Sequence, residues 1–368
     1  DRFGEKPLFY SINPNGIYFS SDIRVIKCLS EKMYEKNYNR LIKGQVNGYK
    51  SLFKDLNETF YKNIFQVPPS SYAEIDNKLN FKIKKYWKPK LKKKKFNKIE
   101  LSRSVKEKLF KSIEIRLRSD VPIAFCLSGG GDSGAIASIA AKKFNCKVNS
   151  FSIIDDKDER YNEKYNIDKI VKDINSNHNE VYISEIQNSL DNVERLKSLI
   201  NYKSAPVSTI TYFLHSFLAQ KISKKGFKVA FSGTAADEIY TGYYDHHLQY
   251  LYENKGKKNF NKYLNNFKTY IKPLIRNNYL KNENLYFKNK NFRNHVYDNS
   301  KEFENLLKVK IKNKYDFKFL EKKYSNSLID NRRLNELFHE ITPVVLFEDD
   351  TNSMFYSIEN RSPYLDKN

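Results

Sequence analysis

Apolar residues recur at every fourth position from Leu101 through Val105, Leu109, Ile113 and Leu117. This is the stripe of an amphipathic helix that hides one face from water. Asp120-Val121-Pro122 ends the helix, and Val121 to Leu127 follows without a charged residue, as expected of a strand covered on both faces. Ala135 to Ala141 reads as the start of a buried helix, and Val148 to Ile154 as a second continuous strand. The pattern then predicts a helix over 160–174, a short strand from Glu180 to Ile183 and a long helix over 207–224. Gly226 closes that helix, and a strand from Lys228 to Phe231 follows. Strands alternating with helices predict an α/β architecture, a doubly wound and mostly parallel sheet with its site at the carboxyl ends of the strands.

The first quarter of the chain has a different rhythm. Leu8 to Ile12 and Ile17 to Ser20 are β-prone, and Asn13-Pro14-Asn15-Gly16 between them is a hairpin signal. Helices are expected over about 21–35 and 48–62. Val67-Pro68-Pro69-Ser70-Ser71 breaks the chain before a second strand pair, Ser71–Ile75 and Leu79–Tyr86. Two strands cannot bury an apolar face alone, so this region is expected to need partner strands upstream. Trp87-Lys88-Pro89 and the lysine run to Lys95 read as a linker. Residues 250–340 are rich in Lys, Asn and aromatics and read as helical, with no internal repeat.

Composition narrows the class. A chain of 368 residues with 40% hydrophobic content can bury a core and is long enough for two domains. No apolar run approaches a membrane span and no signal peptide is recognisable, so the expectation is a soluble cytoplasmic protein. Cys28, Cys126 and Cys146 show neither metal nor disulfide spacing, and are expected to be reduced, buried thiols. The net charge of +23 raises nucleic acid as a partner. The basic residues are dispersed, however, apart from Lys92 to Lys95, and composition drift explains them as well. Asp1-Arg2-Phe3-Gly4 reads as the middle of a domain, so the chain is taken as a fragment open at both ends.

Candidate chemistry concentrates in one turn. Four of the twelve glycines fall in Ser128-Gly129-Gly130-Gly131-Asp132-Ser133-Gly134, between the Val121–Leu127 strand and the next helix. Free N–H groups at a helix N-terminus attract anions, and glycines let a phosphate come close. Asp132 would repel that phosphate unless a cation lies between them, so the pattern implies a pyrophosphate together with Mg²⁺. A tight strand–helix turn without ligand is the bland alternative. A second strand runs into Ser232-Gly233-Thr234-Ala235-Ala236-Asp237-Glu238. If the two strands are neighbours, Asp132 and Asp237 form a plausible Mg²⁺ clamp. The histidines, His246-His247 included, are read as facing solvent or capping a helix.

These motifs carry a family resemblance. Ser128–Ser133 resembles the Ser-Gly-Gly-x-Asp-Ser pyrophosphatase loop of ATP-dependent amide-forming enzymes. Ser232–Tyr243 resembles the Ser-Gly-x-Gly-x-Asp-Glu-x-x-x-Gly-Tyr element of the glutamine-hydrolysing asparagine synthetase family. Ser353–Asp366 is similar to that family's Ser-Met-x-x-Ser-x-Glu-x-Arg-x-Pro-Phe-Leu-Asp, and Asp1–Tyr10 to the last core hairpin of its glutaminase domain. The resemblance covers nearly the whole chain. It implies residues 1–88 as the C-terminal part of an Ntn-type α+β glutamine amidotransferase domain and 89–98 as a linker. Residues 99–368 would be an adenine nucleotide alpha hydrolase-like synthetase domain, incomplete at its C-terminus. It further implies that a carboxylate, by default L-aspartate, attacks ATP to give an acyl-adenylate, and that ammonia from glutamine then displaces AMP. By the same likeness Ser128, Gly129, Gly130, Asp132, Ser133 and Thr234 would serve catalysis. Leu127, Ile153, Ser232 and Gly233 would hold ATP, and Asp132 and Asp237 the Mg²⁺. A second copy of the chain is a candidate partner, a membrane or a nucleic acid is not.

The sequence also departs from the pattern. Thr234 stands where asparagine-forming members usually carry Glu, and a hydroxyl neither carries charge nor takes up a proton near neutral pH. Asp350 is followed by Thr351 in place of a basic residue, and Gly131 and Gly134 replace an aliphatic residue and Ser. The acceptor therefore stays open between aspartate and another carboxylate, such as a sugar uronate in surface-polysaccharide assembly. An ATP-dependent tRNA-modifying enzyme and a non-catalytic nucleic-acid-binding protein are the readings from other classes. The N-terminal cysteine and the C-terminal lysine that the family uses have no counterpart in residues 1–368.

Overall fold

The computed structural model describes residues 1–48, 50, 57–89, 97–159, 161–293, 296, 302, 305–308 and 321–367. The chain divides into two units. The first comprises Asp1–Tyr34, Asn63–Ala235 and Val345–Asn368, the second Glu35–Lys62 and Ala236–Val344.

In the first unit, β1 (Phe9–Asn13) and β2 (Gly16–Ser20) form the expected hairpin around Pro14-Asn15. The third strand that β1 needs comes from downstream: β3 (Phe65–Gln66) pairs antiparallel with its other edge. β4 (Ser71–Ile75) and β5 (Phe81–Lys85) make a separate ribbon, whose Phe81 ring sits 4.5 Å from that of Tyr10. The helix expected over 21–35 is shorter. α1 (Ile23–Leu29) starts at Asp22, whose carboxylate accepts from the Arg24 N–H, and Glu31 turns left-handed at φ 48°. No helix covers residues 57–62, and residues 49 and 51–56 lie outside the described set, as do most of the linker and the Lys92–Lys95 run.

α2 (Lys98–Arg116) is the striped helix, opened by a capping box between Asn97 and Glu100. Its apolar stripe buries Ile113 fully, while Leu101 near its start stays half exposed. The central sheet follows: β6 (Ile123–Cys126), β7 (Asn149–Ile154), β8 (Asn177–Tyr182), β9 (Val229–Phe231) and β10 (Glu359–Arg361). All five are parallel, in the order β10-β9-β6-β7-β8. Between them run α3 (Gly131–Phe144), α4 (Lys164–Asp173), α5 (Asn192–Lys203) and α6 (Ile210–Lys224), and α7 (Thr342–Phe355) precedes β10. Leu218, Ala219 and Ile222 of α6 bury against Ala124, Phe151, Ala230 and Ile358. The chain leaves β6 toward β7 and returns to its other side as β9. Their carboxyl ends therefore mark the point where the order reverses, where such sheets open a crevice.

The second unit is mainly helical in its described residues, with an isolated antiparallel bridge between Lys36 and Tyr61. Its helices Tyr244–Glu253, Phe260–Asn266 and Glu283–Lys288 enclose Leu248, Leu251, Phe267, Tyr286 and Phe292. A helix at Leu328–Asn335 runs into a wide turn at Glu336–Glu340. Its Arg332 is fully buried and reaches Asp245 at 2.9 Å and Glu321 at 2.6 Å. No helix among the described residues is long and apolar enough to cross a membrane.

Candidate functional site

β6 ends at Cys126, and the Leu127 N–H donates to the Phe151 carbonyl of β7 at 2.9 Å. The backbone then turns through Ser128–Gly130 into α3. Ser133, in the first turn of α3, holds that turn from inside: its Oγ accepts from the Ser128 N–H at 2.9 Å and lies 2.9 Å from the Ser128 hydroxyl. The Gly129 N–H donates to the Glu163 carboxylate at 3.0 Å. A Cβ on Gly129 would come within 2.8 Å of the Glu163 Cβ, so this approach requires glycine. The turn thus presents an N–H that already binds a carboxylate oxygen, as an anion site at a helix N-terminus should. Gly131, by contrast, faces open space and has no steric need to be glycine.

The second loop leaves the neighbouring strand β9 and settles on the first. The Ser232 N–H donates to the Arg361 carbonyl of β10 at 3.0 Å. A Cβ at Gly233 would lie 3.3 Å from the Ser133 nitrogen and 3.6 Å from the Asp132 Cβ, so the two turns touch. Thr234 donates its hydroxyl to Asp349 Oδ2 at 2.9 Å, and the Ser232 hydroxyl is 3.0 Å from it. Ala235 occupies the second glycine position of the Ser-Gly-x-Gly pattern and adopts φ +75°, a left-handed conformation that strains a residue with a side chain.

A cavity of about 450 Å³ opens between the loops, α6 and α7. Leu127, Ile153, Leu218, Ala219, Ile222, Ala230 and Ile358 form its apolar part. Ser128, Asp132, Ser133, Ser232, Gly233, Thr234, His215, Asp349, Asn352 and Asn360 form its polar part. Such a volume and such a division of surfaces suit a small-molecule site. Of the residues singled out in sequence, Leu127, Ser128, Asp132, Ser133, Ile153, Ser232, Gly233 and Thr234 meet around this cavity. Gly129 and Gly130 form the turn behind them. Asp237 belongs to the second unit, in the first turn of a helix at Ala236–Tyr240, where a Cβ on Gly242 would overlap its carboxylate.

Electrostatics follow burial. Partial desolvation lifts the Asp132 carboxyl above its ordinary value. Desolvation at the half-buried Cys126 and the nearby Asp349 charge push its thiol up to about 12, so it stays protonated. All three cysteines were expected to be buried, but Cys28 is exposed and Cys126 and Cys146 are half-buried. His246, read as facing solvent or capping, is buried: its Nε2 lies 2.7 Å from Glu336, and its Nδ1 accepts from the Gly242 N–H at 3.3 Å. Asp245, His246 and Glu336 form a ligand-like triad, but the Arg332 guanidinium 2.9 Å from Asp245 supplies the positive charge there.

Sequence reasoning missed Asp349, His215, Asn352 and Asn360. It also missed Tyr364, whose hydroxyl donates to the Asp132 carbonyl at 3.0 Å, although Tyr364 and Asn360 both lie in a motif quoted above.

A family model described as asparagine synthase matches residues 104–368, and one described as glutamine amidotransferase domain matches residues 1–87. The chain is 26% identical over 244 residues to an asparagine synthetase [glutamine-hydrolyzing] 1 of Bacillus subtilis, covering 66% of this chain and 37% of that protein. It is 26% identical over 249 residues to a putative asparagine synthetase [glutamine-hydrolyzing] 2 of Methanocaldococcus jannaschii, covering 67% and 46%. An amidase of Penicillium rubens, chyE, matches at 24% identity over 260 residues, covering 66% and 37%. The matched stretch thus spans less than half the length of each of these relatives.

Proposed function

We propose that this chain, which belongs to the asparagine synthase family, joins ammonia drawn from glutamine to a carboxylate that it first activates with ATP. The observation that carries the reading is the pair of strand-end turns, Ser128–Ser133 and Ser232–Thr234, touching over one cavity with an apolar and a polar half. The acceptor's carboxylate oxygen attacks the α-phosphorus of ATP, and the bond to the bridging oxygen of pyrophosphate breaks. Ammonia then attacks the acyl carbon, the C–O bond to AMP breaks, and the nitrogen loses a proton to leave the amide. Leu127 and Ile153 are assigned to the adenosine, and Ser232 and Gly233 to the rest of the nucleotide. The Ser128–Gly130 turn, through the Gly129 N–H, and the Ser133 hydroxyl are assigned to the pyrophosphate as its charge develops.

The donors fit a magnesium-bound polyphosphate. A carboxylate oxygen already sits on the Gly129 N–H where a phosphate oxygen would bind, and the polar lining offers hard oxygen ligands headed by Asp132. Asp132 is assigned to hold Mg²⁺, which would supply Lewis-acid stabilisation of the leaving pyrophosphate. Residues 1–88 are assigned to the glutaminase side, 89–98 to a linker and 99–368 to the synthetase side, in a cytoplasmic enzyme. L-Aspartate to L-asparagine is the default conversion. Thr234 keeps a sugar uronate as the second acceptor.

Exchange of labelled pyrophosphate into ATP, dependent on an added carboxylate, tests the first half of the reaction. Asp132→Asn is expected to lower the exchange rate by about a hundredfold or more. Exchange that survives this change at the wild-type rate would sink the assignment.

A further inference from the structure

The helix that carries Asp132 begins weakly. The N-cap of α3 is Gly130, which has no side chain to accept from the first-turn N–H groups. Gly131 and Gly134 follow within its first four residues, and glycine is the poorest helix former after proline. The bond that closes the first turn, from the Gly134 N–H to the Gly130 carbonyl, is stretched to 3.4 Å. A Cβ on Gly134 would come within 3.0 Å of Ile170, but one on Gly131 would meet open space. Packing therefore does not require glycine at 131, and the start of α3 needs support from outside.

That support comes from residues 363–366. Ser112 donates its hydroxyl to the Pro363 carbonyl, and the Arg116 guanidinium reaches Asp366 at 3.0 Å and the Leu365 carbonyl at 3.1 Å. The segment is thereby fastened to α2, a capped helix of 19 residues. From it the buried Tyr364 side chain crosses to α3, where its hydroxyl donates to the Asp132 carbonyl at 3.0 Å. A tyrosine hydroxyl taken out of water seeks such a partner. The Asp132 side chain itself lines the cavity.

We infer that Tyr364 is a positioning residue: its hydroxyl fixes the Asp132 peptide, and with it the direction in which the Asp132 carboxylate enters the cavity. This rests on the ligase reading above, in which Asp132 holds Mg²⁺ on pyrophosphate. The motif pattern quoted for residues 353–366 has Phe at this place, so the ring is the shared part and the hydroxyl belongs to this chain. Its counterpart is Gly131, which stands where the pattern has an aliphatic residue. A side chain there would stiffen the helix start from within, and the Tyr364 hydroxyl stiffens it from outside. Mg²⁺ demands close ligand geometry, so a looser Asp132 should hold it less well. The loss should match one neutral hydrogen bond.

The test is calorimetric titration of the full-length protein with magnesium pyrophosphate and, separately, with AMP, which lacks the pyrophosphate. Tyr364→Phe should raise the Kd of magnesium pyrophosphate by about threefold to tenfold and leave that of AMP within about twofold. Adding Gly131→Ala, which stiffens the first turn where there is room for a Cβ, should bring the double variant back to within about twofold of wild type. Gly131→Ala alone keeps the hydroxyl and should tighten magnesium pyrophosphate by about twofold, an arm that stands whether or not the Tyr364 variant folds. A folded Tyr364→Phe with wild-type affinity for magnesium pyrophosphate would overturn the proposal. So would an equal loss for AMP, a loss that Gly131→Ala does not relieve, or weaker binding by Gly131→Ala alone. Those outcomes leave the ligase reading standing. A wild-type protein that binds neither magnesium pyrophosphate nor AMP would remove both.

Discussion

Ala235 concentrates the tension of the site in one residue. It follows Thr234, is buried, and holds φ +75° where the pattern of its own motif has glycine. A left-handed alanine carries about 1–2 kcal/mol of backbone strain, part of which glycine returns as extra freedom of the unfolded chain. Ala235→Gly is expected to raise the unfolding free energy by about 0.5–1 kcal/mol. Ala235→Val, β-branched in the same conformation, should lower it by more than about 1 kcal/mol. Urea unfolding of both variants checks the sign of each change. Residues also mark the limit of reading from sequence. Glu348, Asp349 and Asp350 are three acids in a row on α7, and only its helical twist sends Glu348 to Lys203, Asp350 to Lys6 and Asp349 to the cavity. Asp132 was legible because its neighbours are glycines before a helix, which is a local signal. Asp349 was not, because its meaning depends on a partner more than a hundred residues away.

Among the elements, the short helix Ala236–Tyr240 of the second unit carries a titration that belongs to its packing. Burial pushes the Glu238 carboxyl up to about 7, while the Tyr243 hydroxyl donates to it at 2.9 Å. A carboxyl that binds its proton more tightly when folded makes the folded state take up protons between its unfolded value near 4.5 and about 7. Its stabilising contribution is whole below that window and is lost as the pH rises through it. Glu238→Gln should remove the slope, so wild type and variant should diverge between pH 5 and 8 by at most about 3 kcal/mol. Unfolding midpoints that run parallel across that range would contradict the assignment. The elements themselves were legible where apolar runs are long. The strands flanking both turns, the striped helix and the first hairpin lie within a few residues of their expected places. β10 was not legible, because Glu359-Asn360-Arg361 has no apolar residue and is a strand only through its bonds to β9. The expected helix 21–35 shrank to Ile23–Leu29, since periodicity does not register the left-handed turn at Glu31.

Across the whole molecule, ligand binding and stability are linked. A nucleotide that binds the folded chain alone stabilises it by about 2.7 kcal/mol at a hundred times its Kd. Mg-ATP is therefore expected to raise the melting temperature, EDTA to remove most of that rise, and Asp132→Asn to abolish it. A rise that is indifferent to EDTA would separate nucleotide binding from the metal.

The order in which the chain leaves the ribosome gives the edge strand β10 a further meaning. Both glycine turns are translated well before residues 359–361, yet Ser232 is tied to Arg361 and the cavity is walled by Ile358 and Asn360. A nascent polypeptide exposing only the earlier strands has the anion turn without the wall beside it. The cavity is then walled on every side only once residues 358–361 have been made, late in biosynthesis.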